Sequence, residues 1–209
     1  MTDDINRRIA EKPKLGGVAS ADWQSYTWKN ELAEQKRRIL QHLNEALADA
    51  DTPHNPYHML ESAIGVASVC MRRLIECHLV TDKFRGSQID VHEIHVRADT
   101  KWREPFLSST AGGTFNNYDM TVRHTIRRAP KYISNKMLHA RFIGVLSGSS
   151  YLPDGLLIAS DDQRRISAFH FTTLEIGDLF DAFLDDQVNL MVDGYLDPAN
   201  PGKIVAIRD

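Results

Sequence analysis

The densest concentration of side chains able to hold an anion lies between Phe115 and Arg141. Arg123, Arg127, Arg128, Lys131, Lys136 and Arg141 stand there against Asp119 alone, a local charge of +5. Guanidinium forks match phosphate oxygens in geometry as well as in charge. The alternation Thr121, Arg123, Thr125, Arg127 predicts one face of a strand running from Met120 to Arg127. Tyr118 and Tyr132 flank it as rings on which bases can stack. The expected anion-binding set is Arg123, Arg127, Arg128, Lys131 and Arg141, and Asn135 with His139 can close a polar pocket beside Arg141. The opposite charge gathers between Asp154 and Asp197, where ten Asp and Glu face Arg164 and Arg165, a local charge of −8. The two blocks can satisfy each other inside the fold, or one of them can face a partner.

A second cluster is the heptapeptide Arg72-Arg73-Leu74-Ile75-Glu76-Cys77-His78. An Arg followed after four or five residues by a His resembles the R-x4–6-H motif of HEPN-type ribonucleases. The resemblance implies catalytic roles for Arg72 or Arg73 and for His78, in a metal-independent ribonuclease of toxin or defence type. His78 would take the proton of an RNA 2′-hydroxyl, and the Arg would stabilise the developing phosphorane charge. The match covers a turn and a half of helix. Leu74 follows Arg73 where those enzymes usually carry a polar residue, and HEPN domains are all-helical whereas strands are expected here after Gly86. Read without the resemblance, Arg72 pairs with Glu76 across one turn and His78 sits at a helix end, where a cation is favoured.

The common catalytic and cofactor signatures are absent: no P-loop, G-x-G-x-x-G, G-x-S-x-G, H-E-x-x-H or C-x-x-C occurs. No cofactor is therefore expected. His54, His58 and Glu61 straddle a helix start and need not share a face, and His92 and His95 point to opposite faces of a strand, so no metal site is expected either.

The rest of the composition describes an ordinary soluble chain. It has 209 residues, a net charge of −3, 42% hydrophobic and 25% charged residues, values close to the average of globular domains. No apolar run approaches the ~20 residues that span a bilayer, so no membrane partner is expected. The acidic start of the chain is unlike a secretory signal. Cys70 and Cys77 are seven residues apart on one predicted helix, too far for a mutual disulfide. A reducing, cytoplasmic setting is the expectation.

Periodicity sets out the elements. Residues 1–20 read as a lead-in before a single domain spanning 21–209. Apolar residues at helical spacing predict a helix over 22–49 and a second, more apolar one over 56–80, with Asn55 as its N-cap and Pro56 at its first position. Ser62, Gly65 and Ser68 fall on the polar stripe of that second helix, where another backbone can come close. Strands are expected over 88–98, 120–127, 140–146, 156–160, 166–171 and 203–208, with a helical turn over 132–138. Ser108–Thr114 is expected as a loop. Thr172 and Glu175 form a capping box opening a last helix to about Asp186, whose Asp178, Asp181, Asp185 and Asp186 are expected to face solvent. Helices first, sheet after, and one closing helix predict an α+β fold. Its second helix is apolar enough to suggest a homo-oligomer. Two functions remain open at this point: a binding or regulatory module for RNA or another anionic partner, and the ribonuclease.

Overall fold

The computed structural model describes residues 25–99, 101–104, 115–148, 152–189, 191–196 and 204–208. The expected lead-in over 1–20 and the Ser108–Thr114 loop lie outside the described residues.

Among the described residues, five helices and a five-stranded antiparallel sheet make an α+β fold. Helices α1 (Ser25–Leu47), α2 (Pro56–Glu76) and the short α3 (Asp82–Arg85) come first. Strand β1 (Ile89–His95) follows, then β2 (His124–Arg128), helix α4 (Pro130–Leu138) and β3 (Ala140–Leu146). The hairpin β4 (Gly155–Ser160) and β5 (Ser167–Phe171) leads into α5 (Thr173–Asp185), and β6 (Met191–Leu196) pairs with β7 (Ile204–Arg208) as a separate ribbon. The five-stranded order is β2-β1-β5-β4-β3.

Local chemistry explains most of the boundaries. Asn55 accepts a hydrogen bond from the Tyr57 N–H at 2.9 Å, capping α2 with Pro56 at its first position. The capping box of α5 is complete: the Glu175 N–H donates to Thr172 Oγ at 3.2 Å and the Thr172 N–H to Glu175 Oε2 at 2.8 Å. Helix α2 stops at Glu76, four residues earlier than its apolar run suggests. His78 adopts φ of 54°, a left-handed conformation that reverses the chain into α3.

One sheet face carries Val91, Leu156, Ile158, Phe169 and Phe171 into a core shared with Leu32, Ile39 and Leu43 of α1, Leu60, Ile64, Met71 and Leu74 of α2, Ile133 and Met137 of α4, and Phe180 and Phe183 of α5. The opposite face is covered too. Ile94, Leu157, Ala159 and Ala168 pack there with Tyr118, Leu146 and Leu152. All residues of β4 and β5 are consequently buried, in place of the alternation of a half-solvated sheet. Gly155 fits this crowding, since a Cβ at that position would collide with the Phe171 carbonyl on the neighbouring strand.

Three expectations change. The strand predicted over Met120–Arg127 begins only at His124, because Asp119 Oδ1 accepts from the Thr121 N–H (3.1 Å) and hydroxyl (2.5 Å) and closes a turn. On α2, Ser68 is fully buried with its hydroxyl donating to the Ile64 carbonyl at 2.7 Å, while Val66 and Val69 stand outside. The acidic face of α5 is also partly used inside the fold. Asp181 pairs with Lys36 of α1 at 2.6 Å, and Asp186 accepts from the Thr81 N–H and hydroxyl at 2.6 and 2.7 Å.

Candidate functional site

Strand β2 ends at Arg128 and, after the single residue Ala129, Pro130 starts α4. The intervening Ala129 is held extended (φ −63°, ψ 146°), as a residue before proline prefers, and it offers no side chain to cap the helix. The first turn of α4 thus has no side-chain cap; Pro130 is buried there, and the Tyr132 and Ile133 N–H groups donate to the Ala129 carbonyl at 2.9 and 3.2 Å. Three cations surround this corner. Arg127 projects from the strand into solvent, with Asp90 across the ladder at 3.4 Å. Arg128 lies opposite Ile89 and lays its guanidinium over the Tyr132 ring, 5.2 Å from the centroid. Its buried Nε has no hydrogen-bond partner. Lys131 is exposed on the first turn of α4. Glu76, at the end of α2, has its carboxyl held below the ordinary range first by the Arg72 hydrogen bond and also by the nearby Lys131 charge, which places α2 and α4 side by side here.

The other members of the basic block go elsewhere. Arg123 donates to Glu175 Oε2 at 2.5 Å and to the His170 carbonyl at 3.3 Å. Lys136 pairs with Asp162 and lies 5.1 Å from the centroid of the Tyr132 ring. Arg141 is on β3, bordering a groove with Tyr57, His58 and Glu61. The five expected anion ligands therefore divide: Arg127, Arg128 and Lys131 lie within five residues at the β2–α4 junction, with Arg127 and Arg128 on opposite faces of the strand, whereas Arg123 is held by Glu175 and Arg141 stands on β3. The block of charge −8 is partly neutralised inside the chain, through Glu175 with Arg123, Asp162 with Lys136, Asp161 with Arg164, and Asp181 with Lys36.

Asn135 and His139 do meet at a cleft of about 430 Å³, bounded also by Tyr132, Lys136, Asp161 and Asp162. Asn135 Oδ1 is shielded from solvent and lacks a donor. Tyr132 donates its hydroxyl to Gln163 Oε1 at 2.6 Å, and Gln163 reaches Ser167 Oγ at 3.1 Å and the buried carboxylate of Glu93 at 3.5 Å. Arg141 is not among the groups bounding this cleft.

The heptapeptide is opened out. Arg72 is tied to Glu76 one turn on, and Arg73 lies 5.4 Å over the Trp28 ring. His78, past the end of α2, has its Nδ1 2.8 Å from Arg85 Nη1 of α3. The imidazole is thus partnered by an arginine, but by Arg85.

Sequence reasoning missed one polar cluster. Glu175 binds Arg123 through one oxygen and His92 Nδ1 through the other at 3.1 Å. His170, fully buried on β5 opposite His92, has no hydrogen bond at either ring nitrogen, and the Pro153 carbonyl approaches the ring without reaching bonding geometry. Burial first, and then the Arg123 charge, push its pKa down to about 4. The capping box announces Glu175 in the sequence, but not Arg123 and His92, which meet it from 52 and 83 residues away. Burial also pushes the Cys70 thiol up to about 11, so it stays protonated and unreactive.

Among the described residues, no group of three or more His, Cys, Asp or Glu is placed to hold a metal ion, and no helix is long and apolar enough to cross a membrane. The chain matches no protein-family model, no curated protein and no solved structure.

Proposed function

We propose that this chain is a binding module for an anionic partner, RNA or another polyanion, held at the β2–α4 corner. The observation that carries the reading is the succession of Arg127, Arg128 and Lys131 across the junction into α4, whose start has no side-chain cap, with Asp90 paired with Arg127 and Glu76 near Lys131. Guanidinium and ammonium groups side by side favour phosphate and carboxylate oxygens. The Tyr132 ring, covered by Arg128, gives the corner a flat wall. The experiment is retention on an immobilised polyanion. Replacing Arg127, Arg128 and Lys131 together by Gln is expected to abolish retention, while Arg123→Gln and Arg141→Gln each leave most of it. Retention unchanged in the triple variant would contradict the assignment.

A second reading keeps ribonuclease chemistry at His78, and the 2.8 Å approach of Arg85 to its imidazole favours it. In that reading Arg85, in place of Arg72 or Arg73, supplies the positive charge beside the general base. It expects EDTA-resistant cleavage of an RNA pool that His78→Ala removes. Equal cleavage by both proteins, or none by either, would dismiss it.

A further inference from the structure

We infer that the stacked imidazoles of His95 and His124 are a platform for the bases of a single-stranded nucleic acid whose phosphates lie at the β2–α4 corner. The inference rests on the anion-binding reading of that corner and narrows its partner from any polyanion to one that carries bases. The two ring centroids are 4.2 Å apart and the planes are 16° from parallel. The other ring pairs among the described residues meet edge-on or tilted. Neither imidazole belongs to a hydrophobic core. The His95 side chain is half exposed, and His124 is exposed on a strand at the edge of the sheet. Bases stack on aromatic side chains of this kind, histidine included, because every base has a π-face.

Register puts this platform on the same side of the sheet as Arg128. His124, Ile126 and Arg128 lie opposite Glu93, Val91 and Ile89, alternate positions that share one face. At ~3.3 Å per residue, His124 and Arg128 are about 13 Å apart along β2. That span fits within the ~4–16 nucleotides that one single-strand-binding domain covers. A continuous wall of contacts joins the two ends. Arg128 lies over the Tyr132 ring, Tyr132 donates to Gln163, Gln163 Nε2 is 3.5 Å from Glu93 Oε1, and Glu93 Oε2 is 3.8 Å from His95 Nε2. The acids near the imidazoles decide which part of the strand sits there. Glu93 is buried beside His95. Asp119 is held below the ordinary carboxylate range first by its Thr121 hydrogen bonds and also by the charges of Arg97 and His124. Two carboxylates repel a phosphate, whereas an uncharged base can stack on the rings. The phosphates are left to Arg128 and Lys131 at the other end of the strand.

Fluorescence anisotropy of the full chain with labelled strands of equal length tests this. The strands are oligo(rA), oligo(dA) and an abasic strand with the same number of phosphates. Wild type is expected to bind the adenine strands about fivefold or more tighter than the abasic one at the same salt, the low end of what stacking contributes per base. The ribo and deoxy strands carry the same bases, so a preference for either over the abasic strand supports the platform, and their rank order names the source. His95→Ala and His124→Ala each remove most of the preference and leave the affinity for the abasic strand unchanged, which a folding defect cannot do. His124→Tyr keeps a ring in place and keeps the preference. The variant with Gln at positions 127, 128 and 131 loses all three strands. Equal binding of adenine and abasic strands by wild type overturns the platform and leaves the corner standing. So does a preference that survives both alanine variants. Binding of none of the strands overturns the corner and the platform together.

Discussion

Glu175→Ala is expected to lower the free energy of unfolding by about 2–4 kcal/mol, more than any other single polar substitution in this chain. The carboxylate does three things at once. It accepts the Thr172 N–H in the capping box, neutralises Arg123, and holds His92. Loss of a helix cap typically costs about 1 kcal/mol. Leaving Arg123 beside the buried His170 without its counter-charge adds about 1–3 kcal/mol more, since a shielded charge that loses its partner keeps the full penalty of desolvation. Glu175→Gln separates the two parts. The amide oxygen can still cap α5, so about half the loss should remain. Urea unfolding of the two variants side by side measures this. Equal and small effects would mean that the cluster is solvated and contributes little.

The second large effect is a dependence on pH. His170 has its pKa lowered to about 4 in the folded chain, against about 6.5 when unfolded. Between these values the unfolded chain binds the proton and the folded one does not, so stability is present in full above pH ~6.5 and falls as the pH drops through this window. At 1.36 kcal/mol per pKa unit the loss reaches about 3 kcal/mol by pH ~4. Glu175 acts in the same direction at the acid end. Its carboxyl is drawn below the ordinary range by the Thr172 N–H and the Arg123 charge, which outweigh its burial, so its contribution also disappears as it protonates. His170→Phe should flatten the profile from pH 6.5 to about 5 while leaving the acid limb in place. A variant as pH-sensitive as wild type in that window would place the titrating group elsewhere.

Both predictions concern a cluster that was not legible in the sequence, and the reason is general to this fold. Local signals read correctly. The spacing of Leu32, Ile39 and Leu43 marks α1, Asn55-Pro56 opens α2, Thr172 and Glu175 open α5, and the turn at 161–166 joins β4 to β5. What failed depended on neighbours distant in sequence. The stripe of α2 is turned so that Ser68 faces inward and Val66 outward, because α1, α4 and the sheet cover one side and leave the other open. Strand β2 is shorter than its alternation because Asp119 closes a turn on Thr121, a competition between side chain and ladder that periodicity does not register. Strand β6 carries no alternation strong enough to announce it, with Asp193 and Gly194 inside it.

The candidate site was legible in composition and not in arrangement. Six cations between Arg123 and Arg141 were visible as a block, but which of them find acids within the chain depends on α5 and on the β4–β5 turn. Arg123 and Lys136 are held there, and Arg141 is carried to the far edge strand. Arg127, Arg128 and Lys131 stay near one junction in the chain because the strand ends, the proline stops the ladder and the helix begins within four residues.

The salt dependence of binding to a single-stranded oligonucleotide tests the central assignment most directly. Each phosphate contact contributes about −0.7 to the slope of log K against log salt for a single strand. Three cations at the β2–α4 corner therefore predict a slope near −2 for wild type and one near zero, with binding lost at moderate salt, for the variant carrying Gln at positions 127, 128 and 131. A wild type that does not bind at low salt, or a triple variant with an unaltered slope, would contradict it.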